Sequence, residues 1–416
     1  MRDTAILLKQ LEYLYTARGS GQTLEFPLNK PPESGEGDGS ETMLDKLRKD
    51  IVFLLESRLY SDIKISITGV FSRGTESTTA TFSSHRFVLA SRSPYFHESL
   101  KSSSNAAKPI VEATAVSEEK EILTVTLPSP PFTPDSLRFT LGYMYAGTLS
   151  FSHRTFDLKT AFEIMRSATY LRIQPLYDEI QARIVQEMMH GLFDAFLGSY
   201  EYERTTAGKW GTGGCVCQQC ARRAPRVLMF AIAEDVKNRP LTRGAGRALV
   251  ATYGEGWCTS EFSKLPEEIK LQLVKMLAER TIPTNVFPLL FAAHQALRRL
   301  STISGSWLGG VKELVLSVRK TIDEVLCNQV EECFEQPEWV EIMAGFDDAD
   351  KIEWVEIMAE GEVGFDSADK VDWVMESIER GLSELNAPFV YQVGDLAYLG
   401  GLSLTNDHRL LFPPSS

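Results

Sequence analysis

The fifteen residues Phe82-Ser-Ser-His-Arg-Phe-Val-Leu-Ala-Ser-Arg-Ser-Pro-Tyr-Phe96 decide the fold that this sequence predicts. Their pattern combines the end of a strand, one short helix and the first turn of another. Ser83 and Ser84 carry oxygens that can cap the first helix, because a side-chain acceptor satisfies amides at a helix start. Ser93 can cap the second helix, in which Pro94 occupies the first position, where a missing N–H has no cost. The stretch therefore predicts a strand followed by two short helices.

Further strands and helices are predicted on both sides of this stretch. Residues 61–67 alternate polar and β-branched side chains, which is typical of a half-buried strand, and residues 80–82 are its expected hairpin partner. Residues 101–119 have no periodicity and predict a mobile loop. The later elements are expected to be a strand at 122–127, helices at 133–147, 158–169 and from Pro175 to about residue 190, and a short strand after Gly147.

This order of elements resembles that of the BTB/POZ family over residues 44–190. The resemblance lies in the polar-His-basic-x-x-Leu-Ala-x-x-Ser-x-x-Phe pattern that ends at Phe96, in Asp62, and in the run Tyr143-x-Tyr-x-Gly-Thr-Leu149. It implies an α+β BTB/POZ domain, a small sheet covered by helices, and a structural role for His85 at a helix start. Helical periodicity from Val227 onward predicts that an all-α domain follows. The combination is similar to predicted fungal BTB proteins with a C-terminal helical region.

Changes in composition divide the chain into six expected segments. The acidic segment near the end contains a duplication, in which residues 345–355 recur as residues 364–374. Its short helices are expected to turn Trp339, Trp354 and Trp373 inward and to leave the acidic side chains in solvent. The final segment loses the helical pattern, and we hypothesise that it is a truncated or mis-spliced end. The segments are a flexible leader (1–42), the BTB/POZ domain (43–192), a hinge-like Gly/Cys-rich connector (193–225), a helical domain (226–326), an acidic repeat segment (327–388) and an irregular tail (389–416).

The net charge of −13 comes from one part of the chain. Residues 331–379 hold 17 Asp and Glu residues against two Lys residues, whereas the rest has 39 acids and 41 bases. Because this near-neutral remainder shows no basic face, no nucleic-acid partner is expected. The sequence contains neither a signal peptide nor an apolar run of the ~20 residues that a membrane span needs. We therefore expect a protein of the cytoplasm or nucleus, without a membrane partner.

Two charged residues carry the first site prediction. In BTB/POZ dimers, residues at the positions of Asp62 and Arg86 form a charged pocket near the dimer interface, so the resemblance implies that role here. The alternative is that the two side chains only stabilise the monomer as a partly buried ion pair, in which desolvation offsets the attraction. The sequence leaves both interpretations open.

The helix predicted from residue 43 carries an apolar stripe at three- and four-residue spacing, formed by Leu44, Leu47, Ile51 and Leu54. Such a stripe usually packs on the core of its own domain. In dimeric BTB domains, however, the helix before the first strand crosses to the partner subunit. The resemblance therefore implies a homodimer, and the spacing suits either role.

A scaffold-binding region follows the signature and contains Phe96, Ser99, Leu100 and Lys101. Cullin-binding BTB proteins often carry a hydrophobic-x-Glu motif here, and it aligns with Ser99-Leu100-Lys101 in this chain. A serine replaces the apolar residue and a base replaces the acid. Charge inversion at an interface disfavours binding because like charges are then brought together. A cullin scaffold is thus a partner that the resemblance implies and that these residues disfavour.

All six cysteines lie after residue 214. In a reducing compartment they are not expected to form a disulfide framework. Cys215, Cys217 and Cys220, with Cys258 as a fourth ligand, can form a tetrahedral zinc site. Their C-x-C-x-x-C spacing departs from the paired CxxC motifs of structural zinc, and free thiols in a Gly-rich connector are the alternative. Apart from this structural zinc, no cofactor is expected.

The sequence has no constellation that predicts catalysis. Its six histidines are scattered, and it contains no Gly-x-Ser-x-Gly elbow, no His-Glu-x-x-His run and no phosphate-binding loop. We therefore expect that the protein is not an enzyme. The predicted function is protein–protein interaction by a BTB/POZ adaptor, one form of which is a substrate adaptor of a cullin-type ubiquitin ligase. The alternative is a homo-oligomerising structural or regulatory protein without a ubiquitin-ligase link.

Overall fold

The structure is a computed structural model, and its chain divides into two compact units, with the division in the sequence between Ile184 and Val185. The sequence predicts that the first domain ends later, at residue 192. The expected leader and most of the expected tail and duplication lie outside the described residues. The described residues are 43–71, 76–106, 122–207, 209–347, 367–383, 386, 387 and 390.

The first unit contains a three-stranded sheet in the order β2-β1-β3. Its strands are β1 (Ile63–Gly69), β2 (Thr78–Ser84) and β3 (Leu123–Leu127). β1 pairs antiparallel with β2 and parallel with β3, which confirms the predicted hairpin and the third strand. The three isoleucines of β1 are fully buried, because strand alternation places every second side chain on the same face of the sheet.

Helices make up most of the rest of the first unit. Thr133 caps the fourth helix and Gly147, with a left-handed φ of 74°, ends it, as the sequence predicts. The short strand expected after Gly147 is not formed, because the Leu149 N–H donates to Glu179 Oε1 at 2.8 Å instead of to a neighbouring strand. The helices are α1 (Met43–Ser57), α2 (Arg86–Arg92), α3 (Pro94–Ala106), α4 (Pro134–Ala146), α5 (Leu158–Leu171) and α6 (Gln174–Arg183), followed by a π-helical turn (Ile184–Met188).

The two helices of the signature form as predicted, but the first has a different cap. Ser83 and Ser84 do not cap α2; the carboxylate of Asp62 accepts the Arg86 N–H at 2.8 Å. Asp62 precedes β1, so this cap comes from a residue that is distant in sequence. The prediction of a loop at residues 101–119 is wrong for its first part, because α3 continues as a helix through Ala106. The rest of that predicted loop lies outside the described residues.

The second helix start is confirmed in detail. Ser93 Oγ accepts the Phe96 N–H at 3.3 Å and donates to the Leu171 carbonyl at 2.8 Å. One buried hydroxyl therefore caps α3 and also ties it to the end of α5. This double role explains why a serine at this position is fully enclosed.

The buried Tyr145 hydroxyl joins separate parts of the first unit. It lies 2.7 Å from His85 Nδ1 and 2.9 Å from Ser84 Oγ, and it accepts the His85 backbone N–H at 3.0 Å. His85 Nε2 lies 2.6 Å from the Leu59 carbonyl, which can only accept, so this nitrogen carries a proton. In the neutral ring, Nδ1 then accepts a bond from Tyr145. Burial raises the pKa of Tyr145, so the hydroxyl keeps its proton, and the structural role of His85 is confirmed.

The second unit is largely helical over its described residues, which agrees with the all-α prediction. The predicted connector is not an open hinge: it contains a helix and the start of the next, and Tyr202 and Cys220 are buried in it. The helices are α7 (Ser199–Thr206), α8 (Gln218–Ile232), α9 (Arg239–Ala251), α10 (Ser260–Ser263), α11 (Glu267–Ala278), α12 (Val286–Thr302), α13 (Leu308–Asn328), α14 (Val330–Phe334), α15 (Pro337–Asp347) and α16 (Ser367–Gly381), with 3-10 turns at Glu255–Trp257 and Pro283–Asn285.

Two described tryptophans of the acidic segment pack inward, as predicted. The Trp339 ring stacks on Phe287 with centroids 5.5 Å apart, and Trp373 stacks on His294 at 4.5 Å. Trp354 lies outside the described residues. Arg380 on α16 donates to the buried Asp323 on α13 at 3.0 Å. The acidic segment therefore packs on the helices that precede it, and its boundary at residue 327 falls inside α13.

Within the described ranges, none of the helices is both long enough and apolar enough to cross a lipid bilayer.

Replacing Tyr145 with Phe is expected to destabilise the first unit. The substitution leaves the His85 N–H and Nδ1 without the partner that they share, and an unsatisfied buried polar group costs about 1–3 kcal/mol. Urea unfolding of the full chain should show a lower midpoint for the first unit. The control is Tyr170→Phe, since the Tyr170 hydroxyl has only a 3.5 Å contact with Tyr95 and the side chain is 37% exposed. Equal effects of the two variants would contradict the assignment.

Candidate functional site

The structure does not join Asp62 and Arg86 through their side chains in the described part of the chain. The Asp62 carboxylate accepts the backbone N–H of Arg86, and both side chains are exposed. The partly buried ion pair that the sequence left open is therefore not formed. Asp62 acts here as a helix cap, and the charged pocket at a dimer interface stays a prediction.

The apolar stripe of α1 is only partly covered. Leu47, Ile51 and Leu54 are half-buried, and the side chain of Leu44 lies outside the described residues. The helix contacts α4, so the stripe packs in part on its own domain. Phe53, which precedes Leu54 on α1 but is not part of the stripe, is 58% exposed. One face of α1 therefore remains open to solvent.

The four residues of the predicted scaffold-binding region have different environments. Phe96 is fully buried and Leu100 is 5% exposed, so both belong to the core of the first unit. Ser99 is half-buried and Lys101 is exposed. A partner that docks on this face of α3 would meet Ser99 and Lys101, and it could reach Phe96 and Leu100 only if the core opened.

The cysteine cluster of the second unit gains a histidine that the sequence analysis missed. His190 Nδ1 lies 3.4 Å from Cys215 Sγ, 3.8 Å from Cys217 Sγ and 3.5 Å from Cys220 Sγ. The four ligand atoms all lie within 4.8 Å of one another. We call these four residues the Cys3His cluster. A signal was present, because His190 is the histidine that precedes the cysteine motif most closely in sequence.

Cys258, the expected fourth ligand, is not part of the Cys3His cluster. Its thiol lies 3.5 Å from the Gly254 carbonyl and 3.6 Å from the Ala296 carbonyl, buried between the 3-10 turn at Glu255–Trp257 and α12. Burial raises the pKa of Cys258 to about 12, so it remains a neutral thiol in this environment. The prediction for Cys258 is wrong because the fold places it in a helical core.

A left-handed backbone turn presents His190 to the cysteines. Five consecutive residues from His190 to Asp194 have positive φ, between 40° and 95°, and only Gly191 among them is a glycine. Left-handed helical backbone costs about 1–2 kcal/mol for each residue with a side chain. Such a conformation persists only when surrounding contacts determine it.

Arg247 supplies these contacts. Its buried guanidinium donates to the carbonyls of Phe193 at 3.3 Å and Asp194 at 3.0 Å, and to those of Leu197 at 3.2 Å and Gly198 at 3.1 Å. The planar fork of an arginine can reach several acceptors in fixed directions at once. Arg247 therefore satisfies carbonyls that the left-handed turn leaves outside any regular helix.

Glycines and the start of α8 position the three cysteines of the Cys3His cluster. Gly213 has a φ of 85°, and a Cβ at Gly214 would overlap the Phe193 ring, so this loop requires glycine next to Cys215. Cys217 is the N-cap of α8, and Cys220 lies in its first turn. On the same helix, Arg223 donates to the Met188 carbonyl at 2.7 Å. These contacts bring the three cysteines close to His190.

The sulfur atoms of the cluster differ in how readily they ionise. Burial opposes ionisation of Cys217, but hydrogen bonds from the backbone of Cys220 and Gln219 and from the thiols of Cys215 and Cys220 outweigh it, so the pKa of Cys217 falls to about 6. Burial and the neighbouring Cys217 raise the pKa of Cys220. The neighbouring sulfur atoms therefore differ in how easily each loses its proton.

Replacing Arg247 should destabilise the second unit strongly. Arg247→Met removes the guanidinium that donates to four carbonyls, of which those of Asp194 and Gly198 keep a backbone N–H donor. Because a hydrogen bond to a charged group contributes about 1.5–3 kcal/mol, we expect the free energy of unfolding to fall by at least about 3 kcal/mol. Arg247→Lys should restore little of the lost stability, because the lysine ammonium group lacks the planar fork of donors that the guanidinium has. Urea unfolding measures the change.

The matched control is Arg243→Met, which removes a single 3.5 Å contact to the Phe196 carbonyl. An Arg247→Lys variant as stable as the wild type would contradict the proposed role of the guanidinium.

Comparison with known proteins identifies the first unit. Residues 54–187 match the family model of the BTB/POZ domain. This range contains all three strands and the signature stretch, and it ends within the π-helical turn. Among curated proteins, none matches the chain, so the similarity to fungal proteins stays a prediction. The chain thus contains a BTB/POZ domain at residues 54–187, followed by a largely helical region.

Proposed function

We propose that this chain is a non-enzymatic adaptor whose BTB domain binds a second copy of itself and whose helical unit holds another protein. The match to the BTB/POZ family supports the first part, because BTB domains are protein-interaction modules that often dimerise. The free thiols suit a reducing compartment, and we place the protein in the cytoplasm or nucleus.

The observation that carries self-association is a group of exposed apolar side chains in the first unit, which we call the α1 patch. Leu59 and Phe87 both lie near His85, because the Leu59 carbonyl is 2.6 Å from His85 Nε2 and the Phe87 ring centroid is 6.0 Å from that of His85. Clusters of exposed apolar side chains often mark interaction surfaces. The exposed fractions are 58% for Phe53, 47% for Leu59, 88% for Tyr60 and 54% for Phe87.

A second copy of the chain is the occupant that suits this patch best. The half-buried stripe of α1 is next to the patch in sequence and has the helical position that crosses between subunits in dimeric BTB domains. A twofold interface uses the same surface on both copies, so one patch suffices to close the dimer. Asp62 and Arg86, both exposed at the start of α2, would then lie near the interface.

A charge placed in the α1 patch should shift the protein from dimer to monomer. Phe53→Glu puts a carboxylate where the proposed interface is apolar, and burying an unpaired charge is strongly unfavourable. Light scattering coupled to size exclusion should give twice the 46.5 kDa chain mass for the wild type and the single mass for the variant. Because Phe53 is mostly exposed, the monomer should remain folded by circular dichroism.

The matched control is Leu271→Glu, since Leu271 is 61% exposed on α11 of the second unit. This variant should stay dimeric. A wild type that is monomeric at micromolar concentration, or a dimer that Phe53→Glu leaves intact, would contradict self-association through this patch.

One role for such an adaptor is to recruit substrates to a cullin-type ubiquitin ligase. The alternative is that the chain is an oligomeric regulatory or structural protein without a ligase link. The exposed Lys101 favours the alternative, because the resemblance places an acidic residue at this position in cullin-binding proteins. A base there inverts the charge that the scaffold meets. The buried Leu100 cannot substitute for the missing apolar contact without leaving the core.

Affinity purification of the tagged full chain with mass spectrometry separates the two settings. We expect the chain to recover a second, differently tagged copy of itself and no cullin. Lys101→Glu serves as the comparison, because it restores the acidic residue and should raise any residual cullin recovery. Stoichiometric recovery of a cullin by the wild type would establish the ligase setting and overturn the preference based on Lys101.

A further inference from the structure

We propose that His190, Cys215, Cys217 and Cys220 bind one zinc ion as a closed structural site in the second unit. The site would join the left-handed turn that begins at His190 to the first turn of α8.

The distances within the cluster agree with a common central ion. Zinc binds sulfur at about 2.3 Å and nitrogen at about 2.0–2.1 Å, so tetrahedral angles place each sulfur about 3.6 Å from the nitrogen. The observed separations from His190 Nδ1 are 3.4, 3.5 and 3.8 Å. The nitrogen therefore lies at a nearly equal distance from all three sulfurs, as one corner of a tetrahedron does.

Hydrogen bonding alone does not account for this arrangement. The Nδ1 atom of an imidazole has either one N–H or one lone pair, so it can form one good hydrogen bond in the ring plane. Three sulfur atoms at similar distances would leave two of them without a bond from this nitrogen. A cation between the four atoms would accept a lone pair from each, so that every sulfur atom and the nitrogen would have a partner.

The ligand set favours zinc over other common metal ions. Magnesium and calcium require oxygen ligands, which the Cys3His cluster does not offer. Most iron–sulfur clusters use four cysteines. Three thiolates and one imidazole form a recognised set for structural zinc, in which protein ligands occupy every position. A catalytic zinc would keep one position open for water, so the full set points to a structural role.

The surroundings of the cluster are also those of a metal site. Cys217 accepts hydrogen bonds from the backbone N–H groups of Gln219 and Cys220 at the start of α8. Arg223 holds the Met188 carbonyl, two residues before His190, at 2.7 Å. Contacts outside the ligands that orient them are typical of metal sites in proteins.

A bound ion would stabilise the second unit by fixing a long loop. His190 and Cys215 are separated by the left-handed turn, α7 and the Gly-rich stretch that follows it. Closing such a loop costs entropy, and a metal that cross-links its two ends removes much of this cost from folding. The ion would also help to hold the strained turn that the Arg247 guanidinium supports.

The test begins with the full chain, expressed in zinc-supplemented medium and purified without chelator. Metal analysis by mass spectrometry should find one zinc per chain in the wild type and a background level in Cys215→Ser and His190→Ala. Both side chains are at least partly exposed, so these variants need not disturb the core. The matched controls, Cys258→Ala and His97→Ala, should keep one zinc per chain.

A measurement on the wild type keeps the test independent of variant folding. Thiol alkylation followed by peptide mapping should label Cys215 and Cys217 slowly with zinc present and quickly after removal by chelator. Chelation should also lower the thermal midpoint of the second unit, and Zn²⁺ alone should restore it.

Three results would overturn the proposal. One is a wild-type protein that contains no zinc and takes up none from added Zn²⁺. Another is a Cys258→Ala variant that loses zinc while His190→Ala retains it. That result would identify Cys258, and not His190, as the fourth zinc ligand. The third is a disulfide within the C-x-C-x-x-C motif in protein purified under reducing conditions.

Discussion

The buried guanidinium of Arg247 is the constraint on which the organisation of the second unit depends. It binds four backbone carbonyls between Phe193 and Gly198 and lies 3.9 Å from the centroid of the Tyr202 ring. These contacts offset the cost of a left-handed turn that no local preference of the sequence favours. Because the turn starts at His190, a contact made by α9 decides where a metal-binding side chain lies. The candidate metal site is therefore a consequence of tertiary packing.

The first unit depends in a similar way on one buried hydroxyl. Tyr145 on α4 satisfies both the backbone and the ring of His85, and His85 in turn reaches the end of α1 through the Leu59 carbonyl. The signature stretch is thus held by polar contacts from distant parts of the sequence, while its apolar residues fill the core. This division explains why Phe96 and Leu100 identify the fold, whereas the interactions that we propose would depend on exposed side chains such as Phe53 and Lys101.

Much of the fold could be predicted because its signals are local. The alternation in β1, the Thr133 cap and the left-handed Gly147 each depend on residues within one element, and the structure confirms them. The Asp62 cap of α2 and the absence of a strand after Gly147 could not be predicted, because both depend on partners from other elements. Local preferences do not contain this information.

The proposed metal site shows the same limit of local signals. Three of its ligands form a motif that the sequence shows directly, but the fourth must be found among distant residues. Cys258, the next cysteine along the chain, was the expected fourth ligand, since a cysteine offers the same chemistry as the motif. The fold instead encloses Cys258 beside α12 and brings His190 to the cluster by way of a backbone turn that is rare for residues with side chains. Ligand type could be inferred from sequence, whereas ligand position could not.

X-ray absorption spectroscopy at the zinc edge, on the purified full-length protein, tests the account most directly because it counts the ligands around the ion. A zinc ion held by the Cys3His cluster should show three sulfur atoms at about 2.3 Å and one imidazole nitrogen at about 2.0–2.1 Å. A shell of four sulfur atoms, or one of oxygen atoms from solvent and carboxylates, would contradict it.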